Sequence, residues 1–465
     1  MDVADSPALE LVDLLRKREV SSEELVSMYL ARIERKNPAI AAFVAVFREE
    51  ALRDAKEKDR ALARSGRATL PPFFGVPTAV KDLNLVARQR ARFGSRGARV
   101  TWSPLDDRMT SRLRAGGFVF LGKLATSEYG VMPITEPDIH PPTANPWNTS
   151  HSAGGSSGGS GAAVAAGLVP IAQGSDGAGS VRIPAAFNHL YGLKPSRGRV
   201  RNAFGFPDET LLYTDGPLAH TVLDAAAMLD VMAGVTVGKP HWAPPPPRPF
   251  QELAMEAPRR LHVRFSVQSD VAEVTPAARE HVLRVAKLLE RLGHEVTELP
   301  DTPGLTLESF LPLWQKLTSD APLVRWSDTQ PVTRWIAEPG RHHDKAEIEL
   351  LRLELERKLF AWQGEADIVL TPTVAGPAPK LGLARTDEPP ARIFAKAAEL
   401  GAFTAAANIT GQPAASVPVG LTDDGLPLGV QLIGRRYADG TVLALSKVLE
   451  EELPWRDRRA PLARS

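Results

Sequence analysis

The chain has 465 residues, 43% of them hydrophobic and 24% charged, which is ordinary globular composition with length enough for a large core. Its 56 Lys and Arg against 55 Asp and Glu leave a net charge of +1, so a nucleic acid is not an expected partner. The absence of cysteine excludes disulfides, thiolate chemistry and cysteine metal sites.

The first ten residues lack a basic start and an apolar run, so no signal peptide is expected. Residues 6–37 read as two helices. Pro7 suits a first helical position after Ser6. Ser21 and Glu24 have capping-box spacing ahead of Leu25, Met28, Tyr29 and Ile33, which share a face. Asn37-Pro38 is expected to stop that helix. A further polar helix spans about Arg48 to Ser65.

From Phe74 to about Gly238, short β-type runs alternate with Gly/Ser-rich turns and Ala-rich helical pieces, which argues for an α/β core. Phe118 to Leu121 reads as a buried strand. The small-apolar stretch Ala162 to Ala172 is too short to span a bilayer, so a cytoplasmic protein without membrane contact is the expectation. Arg199 and Arg201 flank Val200 and read as solvated surface. Pro244 to Pro247 is a stiff connection. Leu261 to Val267 reads as a strand and Pro276 to Leu292 as an amphipathic helix. Residues 304–363 are mostly helical and hold Trp314, Trp326 and Trp335, read as packing residues rather than substrate contacts. β-type runs return at Ile368–Leu370, Ala415–Val419 and Gly429–Ile433, with Asp424-Gly425 as a hairpin turn.

Three segments could carry chemistry. Gly154 to Gly161 is a Gly/Ser run that opens into the helical Ala162 to Ala166. A linker is the bland reading, but a glycine-rich loop entering a helix suits an anion or oxyanion. It lacks the Gly-Lys-Ser/Thr ending of a phosphate loop. In Gly174 to Arg182, successive N–H groups of Gly177, Ala178, Gly179 and Ser180 could form an oxyanion-binding nest. Asp176 and Arg182 could pair across that turn, the alternative being a surface ion pair of little energy. Gly75 to Asp82 offers Lys81 after an apolar run. If buried, its ammonium is disfavoured and it becomes a base; most lysines after strands are simply on the surface.

Together these segments resemble the amidase signature family. The resemblance is carried by Gly75-Val76-Pro77 with Lys81-Asp82, Gly122-Lys123 with Glu128, and Asn145-Pro146-Trp147-Asn148. It continues through Gly154 to Gly159, Asp176 to Pro184 and Gly192-Leu193-Lys194-Pro195, then Asn408, Gly411-Gln412-Pro413 and Gly425 to Gly429. It implies an α/β fold with a mixed central β-sheet covered by helices on both faces. The whole of 1–465 is then one amidase domain. Within it lie a helical segment 1–70, a catalytic core 71–238, a mostly helical substrate-side segment 251–363 and a return to the core sheet at 364–465.

Carried over by position, the family's base falls on Lys81, its bridging serine on Ser156 and its nucleophile on Ser180, 24 residues further on. The family's bridging serine follows a cis peptide bond. Ser180 would form an acyl-enzyme, with protons passing through Ser156 to neutral Lys81. Members commonly carry two glycines before the nucleophile, whereas this chain has Ala178-Gly179. A branch resembling the hydrolases of cyclic nylon-oligomer amides also has alanine there, with an ending like Leu453-Pro454-Trp455. Tyr129, Met132 and Pro133 would then lie at the substrate. The resemblance implies a small-molecule amide or carbamate substrate, no cofactor, and a monomer or homodimer. No His, Asp and Glu cluster has metal-ligand spacing, so no metal is expected.

Two competitors remain. Gly155 to Gly159 also satisfies G-x-S-x-G with Ser157 as nucleophile, the pattern of an α/β-hydrolase, but Thr149 to Ala153 is a poor strand and no late histidine offers a base. The other is a non-catalytic, partner-dependent scaffold such as the amidase-like subunit of a tRNA-dependent amidotransferase.

Overall fold

The computed structural model describes residues 3–64, 70–99, 102–200, 210–234, 242–321 and 324–464. Side chains anchor the N-terminal ends of its first two helices. Helix Ala8–Lys17 starts one residue later than expected, with Pro7 as its cap. The Ala8 and Leu9 amides donate to the Asp224 carboxylate, each at 2.9 Å, so a residue far along the chain satisfies orphan donors at a positive helix end. Helix Ser22–Ile40 carries the expected capping box, and Leu25, Tyr29 and Ile33 are buried. It does not stop at Asn37-Pro38. It runs on to Ile40 and ends at Ala41, which has φ 48°. A proline in the last turn removes only one ladder bond, and the Asn37 side chain clasps both the N–H and the C=O of Phe43.

The strands fall into three groups. β1 (Phe43–Val46), β2 (Pro77–Lys81) and β3 (Val119–Leu124) form a small sheet in the order β1-β3-β2. β4 (Ala144–Asn145) and β5 (Asn148–Ser152) make a separate two-stranded ribbon. The large sheet contains β6 (Ile171–Asp176), β7 (Tyr191–Lys194), β8 (Thr214–Ala219), β9 (His262–Phe265), β10 (Glu295–Glu298), β11 (Ile368–Pro372), β12 (Ala414–Leu421) and β13 (Pro427–Gly434). Their spatial order is β10-β9-β11-β13-β12-β7-β8-β6. β9 pairs in parallel with β10 and β11, and the other neighbours are antiparallel. The sheet is therefore mixed and flanked by helices, as the resemblance implied. Gly425, at φ 77°, turns the β12–β13 hairpin.

The small sheet abuts the open edge of the large one. The Thr78 hydroxyl on β2 donates to the Ile171 carbonyl on β6 at 2.8 Å. That contact brings the end of β2 beside the end of β6. A second apolar cluster, apart from the main core, joins helices Leu307–Ser319, Pro331–Gly340 and Lys345–Gln363 to Val131, Met132 and Ile134.

Arg199 departs from the expected solvated surface. It is buried, pairs with Asp439 at 3.3 Å and stacks over Phe250. Its planar cation covers an aromatic face while a buried carboxylate balances the charge. Arg201 and the boundary near residue 238 lie outside the described residues. Among the described residues no helix is long and apolar enough to cross a membrane.

Helix Gly158–Ala165 starts inside the Gly/Ser run and lies flush on β3. A methyl at Gly159 would stand 2.3 Å from the Ala125 nitrogen and 2.6 Å from its oxygen. Both are backbone atoms that cannot swing aside. Gly159→Ala is therefore expected to lower the unfolding free energy by about 1–3 kcal/mol, read from denaturant midpoints at unchanged slope.

Candidate active site

Lys81 ends β2 and is completely buried. Its Nζ lies 2.6 Å from Ser156 Oγ, 2.9 Å from Ser157 Oγ and 2.8 Å from Ser175 Oγ. All three partners are neutral. Burial accordingly pulls the amine down to about 7, against a weaker upward pull from Asp215 and Asp176. The Ser157 hydroxyl donates to the Ser175 carbonyl at 3.1 Å, so towards Lys81 it accepts. A neutral Lys81 has two N–H donors, which Ser157 and Ser175 can receive. Its lone pair is then left for the Ser156 hydroxyl.

The turn after β6 is built on one buried ion pair. Asp176 and Arg182, at 2.8 Å, are both fully inaccessible, unlike the surface pair weighed from sequence. Arg182 Nε and Nη2 grip the two Asp176 oxygens. Its remaining donors reach the Thr404 carbonyl, Gln431 Oε1 and Asn408 Oδ1. Asp176 also accepts from the Gly179 amide at 2.7 Å and the Val181 amide at 3.2 Å. Burial pushes the Asp176 carboxyl up. The charge and hydrogen bonds of Arg182, with help from Lys194 and Asn408, outweigh that and hold it down to about 2.

Ser156 and Ser180 enter from two loops tied together by the Ser157 amide donating to the Ser180 carbonyl at 3.2 Å. The peptide bond between Gly155 and Ser156 is cis. Ser180 is 7% exposed and faces a cleft, whereas Ser156 is 1% exposed and faces Lys81. Their hydroxyls share no hydrogen bond among the described residues. Of the four amides expected to form a nest, that of Gly179 is already held by Asp176. The amides of Gly177, Ala178 and Ser180 have no acceptor among the described residues. The position that needs glycine is 179, at φ 126° with Thr404 packed against it. Ala178 stands outside the left-handed region, so its methyl meets no backbone penalty.

The cleft beside Ser180 encloses about 610 Å³, open mouth included. Met132, Pro133, Phe310, Trp314 and Phe394 line it, and among the described residues no charged side chain does. Trp314 is thus both packing residue and cleft wall: its indole N–H donates to the Val131 carbonyl at 3.1 Å, and a methyl on Gly177 would touch its ring at 3.2 Å. Trp335 packs on Phe394, and Trp326 under Arg341. Tyr129, expected at the substrate, is not in the cleft wall. It stacks on Phe93 at 5.9 Å between ring centres.

Ser157 does not stand on a nucleophile elbow. A strand does precede its loop, contrary to expectation, but β5 belongs to the isolated ribbon and not to the central sheet. Ser157 is fully buried against Lys81. Gln173 and Ser175 were not singled out from sequence, although alternation along β6 puts them on one face, towards Lys81. Thr404 and Gln431 carried no local signal.

A buried lysine in contact with three serine hydroxyls thus lies close to an apolar cleft lined by Ser180, in a fold whose large mixed sheet is flanked by helices. The amidase family profile matches residues 24–321 and 329–443. A protein of Synechocystis sp., provisionally named an amidase, is 40% identical over 448 residues, covering 96% of this chain and 88% of its own. The 6-aminohexanoate-cyclic-dimer hydrolase of Paenarthrobacter ureafaciens is 34% identical over 485 residues, covering 97% and 95%. A solved 6-aminohexanoate cyclic dimer hydrolase superposes with a TM-score of 0.90 at 30% identity, over 99% of this chain and 100% of that one. The chain belongs to the amidase signature family and is a hydrolase of amide bonds.

Arg182→Leu leaves the Asp176 charge buried without its partner, and is expected to destabilise the fold by about 3–5 kcal/mol. The wild type has the matching pH signature. Asp176 ionises near pH 2 when folded against an ordinary value of 3.8, so its contribution is complete above about pH 4 and is lost as pH falls towards 2. Arg182→Leu should flatten that acid limb of the stability curve, measured by urea unfolding from pH 2 to 6.

Proposed function

We propose that the chain hydrolyses apolar amides through an acyl-enzyme on Ser180, with Ser156 and Lys81 as the proton relay. The observation that carries this reading is the 2.6 Å contact from the Lys81 amine to Ser156 in a fully buried setting. An amine held near 7 is largely neutral at slightly alkaline pH, which suits a general base. Ser180 Oγ attacks the substrate carbonyl as its proton passes to Ser156 and that of Ser156 to Lys81. The developing oxyanion meets the amides of Gly177, Ala178 and Ser180. The tetrahedral adduct then collapses, its C–N bond breaks, and the proton returns through Ser156 to the leaving amine. Water enters by the same relay and releases the acid. Rotation of the Ser180 side chain towards Ser156 would close the gap between the two hydroxyls, in keeping with catalytic contacts that tighten on substrate binding.

Carbamates and esters present the same carbonyl and fall within this chemistry. The uncharged cleft favours substrates that bury apolar area, such as aryl amides and aryl carbamates. Glutamine carries an ammonium and a carboxylate that nothing in the cleft wall would balance. A substrate panel ranked by kcat/KM should place aryl amides and aryl carbamates above linear aliphatic amides, with glutamine last. Glutamine in first place would favour the amidotransferase-subunit reading instead.

Ser180→Ala should lower kcat by roughly a thousandfold or more while the protein stays folded, and a serine-directed probe should label Ser180. Labelling of Ser157 would refute the assignment. For the wild type, kcat/KM should fall about tenfold per pH unit below about pH 7, as Lys81 takes up a proton. A profile flat down to about pH 5 would remove Lys81 as the base.

A further inference from the structure

Near Lys81, and not in the cleft wall, lies a second buried titratable group. We propose that Asp215 is a positioning residue for Lys81, holding it through Gln173 and supplying a buried negative charge that sets how readily Lys81 gives up its proton. The inference rests on Lys81 acting as the base.

The geometry forms a continuous path. The backbone amide of Lys81 donates to Gln173 Oε1 at 3.2 Å, and Gln173 Nε2 donates to Asp215 Oδ1 at 2.7 Å. One side-chain amide thus bridges lysine and carboxylate. The register of β6 and β8 sets Asp215 directly opposite Ser175, whose hydroxyl meets Lys81 Nζ at 2.8 Å. Asp215 is wholly buried, and its other oxygen, Oδ2, has no hydrogen-bond partner among the described residues. Local donors therefore satisfy only half of this carboxylate, and the rest of its charge must be balanced through space.

The groups facing it are few. Lys81 on β2 is the cation acting on it. Asp107, the cap of helix Arg108–Ala115, is a like charge, and the Tyr213 hydroxyl donates at 3.1 Å. Asp176 is the other charge acting on Lys81, and it is already saturated by Arg182. Burial and the Asp107 charge push Asp215 up to about 7, against the pull of Gln173, Tyr213 and Lys81, so both buried groups change charge in the same pH range. Two such groups titrate as a pair, and the acid limb of the rate profile belongs to both.

The sign follows from the charges. An ionised Asp215 stabilises protonated Lys81 and moves the acid limb upwards. Asp215→Asn keeps the shape and the acceptor towards Gln173 while removing the charge. It should shift the acid limb of kcat/KM to lower pH by about one unit. Tyr213→Phe removes a donor to the carboxylate, makes it easier to protonate and should move the limb the same way by less. A merely structural aspartate would lower kcat or stability and leave the limb in place. An unmoved limb in Asp215→Asn overturns the proposal. Should that variant not fold, an unmoved limb in Tyr213→Phe does so. A wild-type profile with no acid limb overturns the relay and this inference together. A wild-type limb that neither variant moves overturns this inference alone.

Discussion

A fully buried arginine cation underlies the architecture of the site. Arg182 directs one donor from Nε and two from each terminal nitrogen at five acceptors, on Asp176, Thr404, Asn408 and Gln431. Those residues belong to β6, to the stretch around helix Ala405–Thr410 and to β13. A guanidinium taken out of water is tolerable only when its charge and every donor are answered. Meeting that condition draws the C-terminal third of the chain against the glycine-rich turn. The same carboxylate that balances Arg182 takes up the Gly179 and Val181 amides, so the turn carrying Ser180 inherits its shape from the ion pair.

The contrast with Lys81 shows how surroundings divide two buried cations between roles. Arg182 has an ionised partner in direct contact. Lys81 meets three hydroxyls, and its nearest carboxylates act on it from beyond hydrogen-bond range. Desolvation then wins, and the amine is driven towards neutrality. Lys194, also buried and drawn down to about 7 by burial and by Arg182 beside it, donates to the Pro195 carbonyl and lies outside the cleft wall. A lysine drawn down by its surroundings is therefore not by itself part of a site. A hydroxyl on a loop beside a cleft is what makes one useful.

The cleft comes from a different part of the chain from the serines. Helices from residues 307–340 and 390–410 bring Phe310, Trp314, Phe394 and Ala405 against Ser180, and the 131–133 loop closes the other side. Trp314 ties these pieces together, with its indole N–H on Val131 and its ring against Gly177. An uncharged wall around a serine hydroxyl offers a ligand apolar area to bury.

Local patterns were sufficient wherever the physics is local. The capping box at Ser21, the helices at Arg48 and Pro276, the buried strand at Val119, the turn at Gly425 and the α/β class all follow from periodicity, caps and turn residues, which act over a few positions; the mixed sheet is implied by the family resemblance. The ordered motifs around Lys81, Ser156 and Ser180 come together close to the cleft. What no local pattern could decide is which distant groups share a buried volume. Thr404, Asn408 and Gln431 answer Arg182 from more than two hundred residues away. Arg199 reads as a surface residue until Asp439 is placed beside it. Tyr129 stacks on Phe93 from another segment of the chain. Gln173 and Asp215 gather near Lys81 because β6 and β8 pair there. Propensity and patterning are properties of neighbours along the chain, whereas the protonation and reach of a side chain depend on the dielectric and partners around it, and those exist only once the sheets and helices have closed.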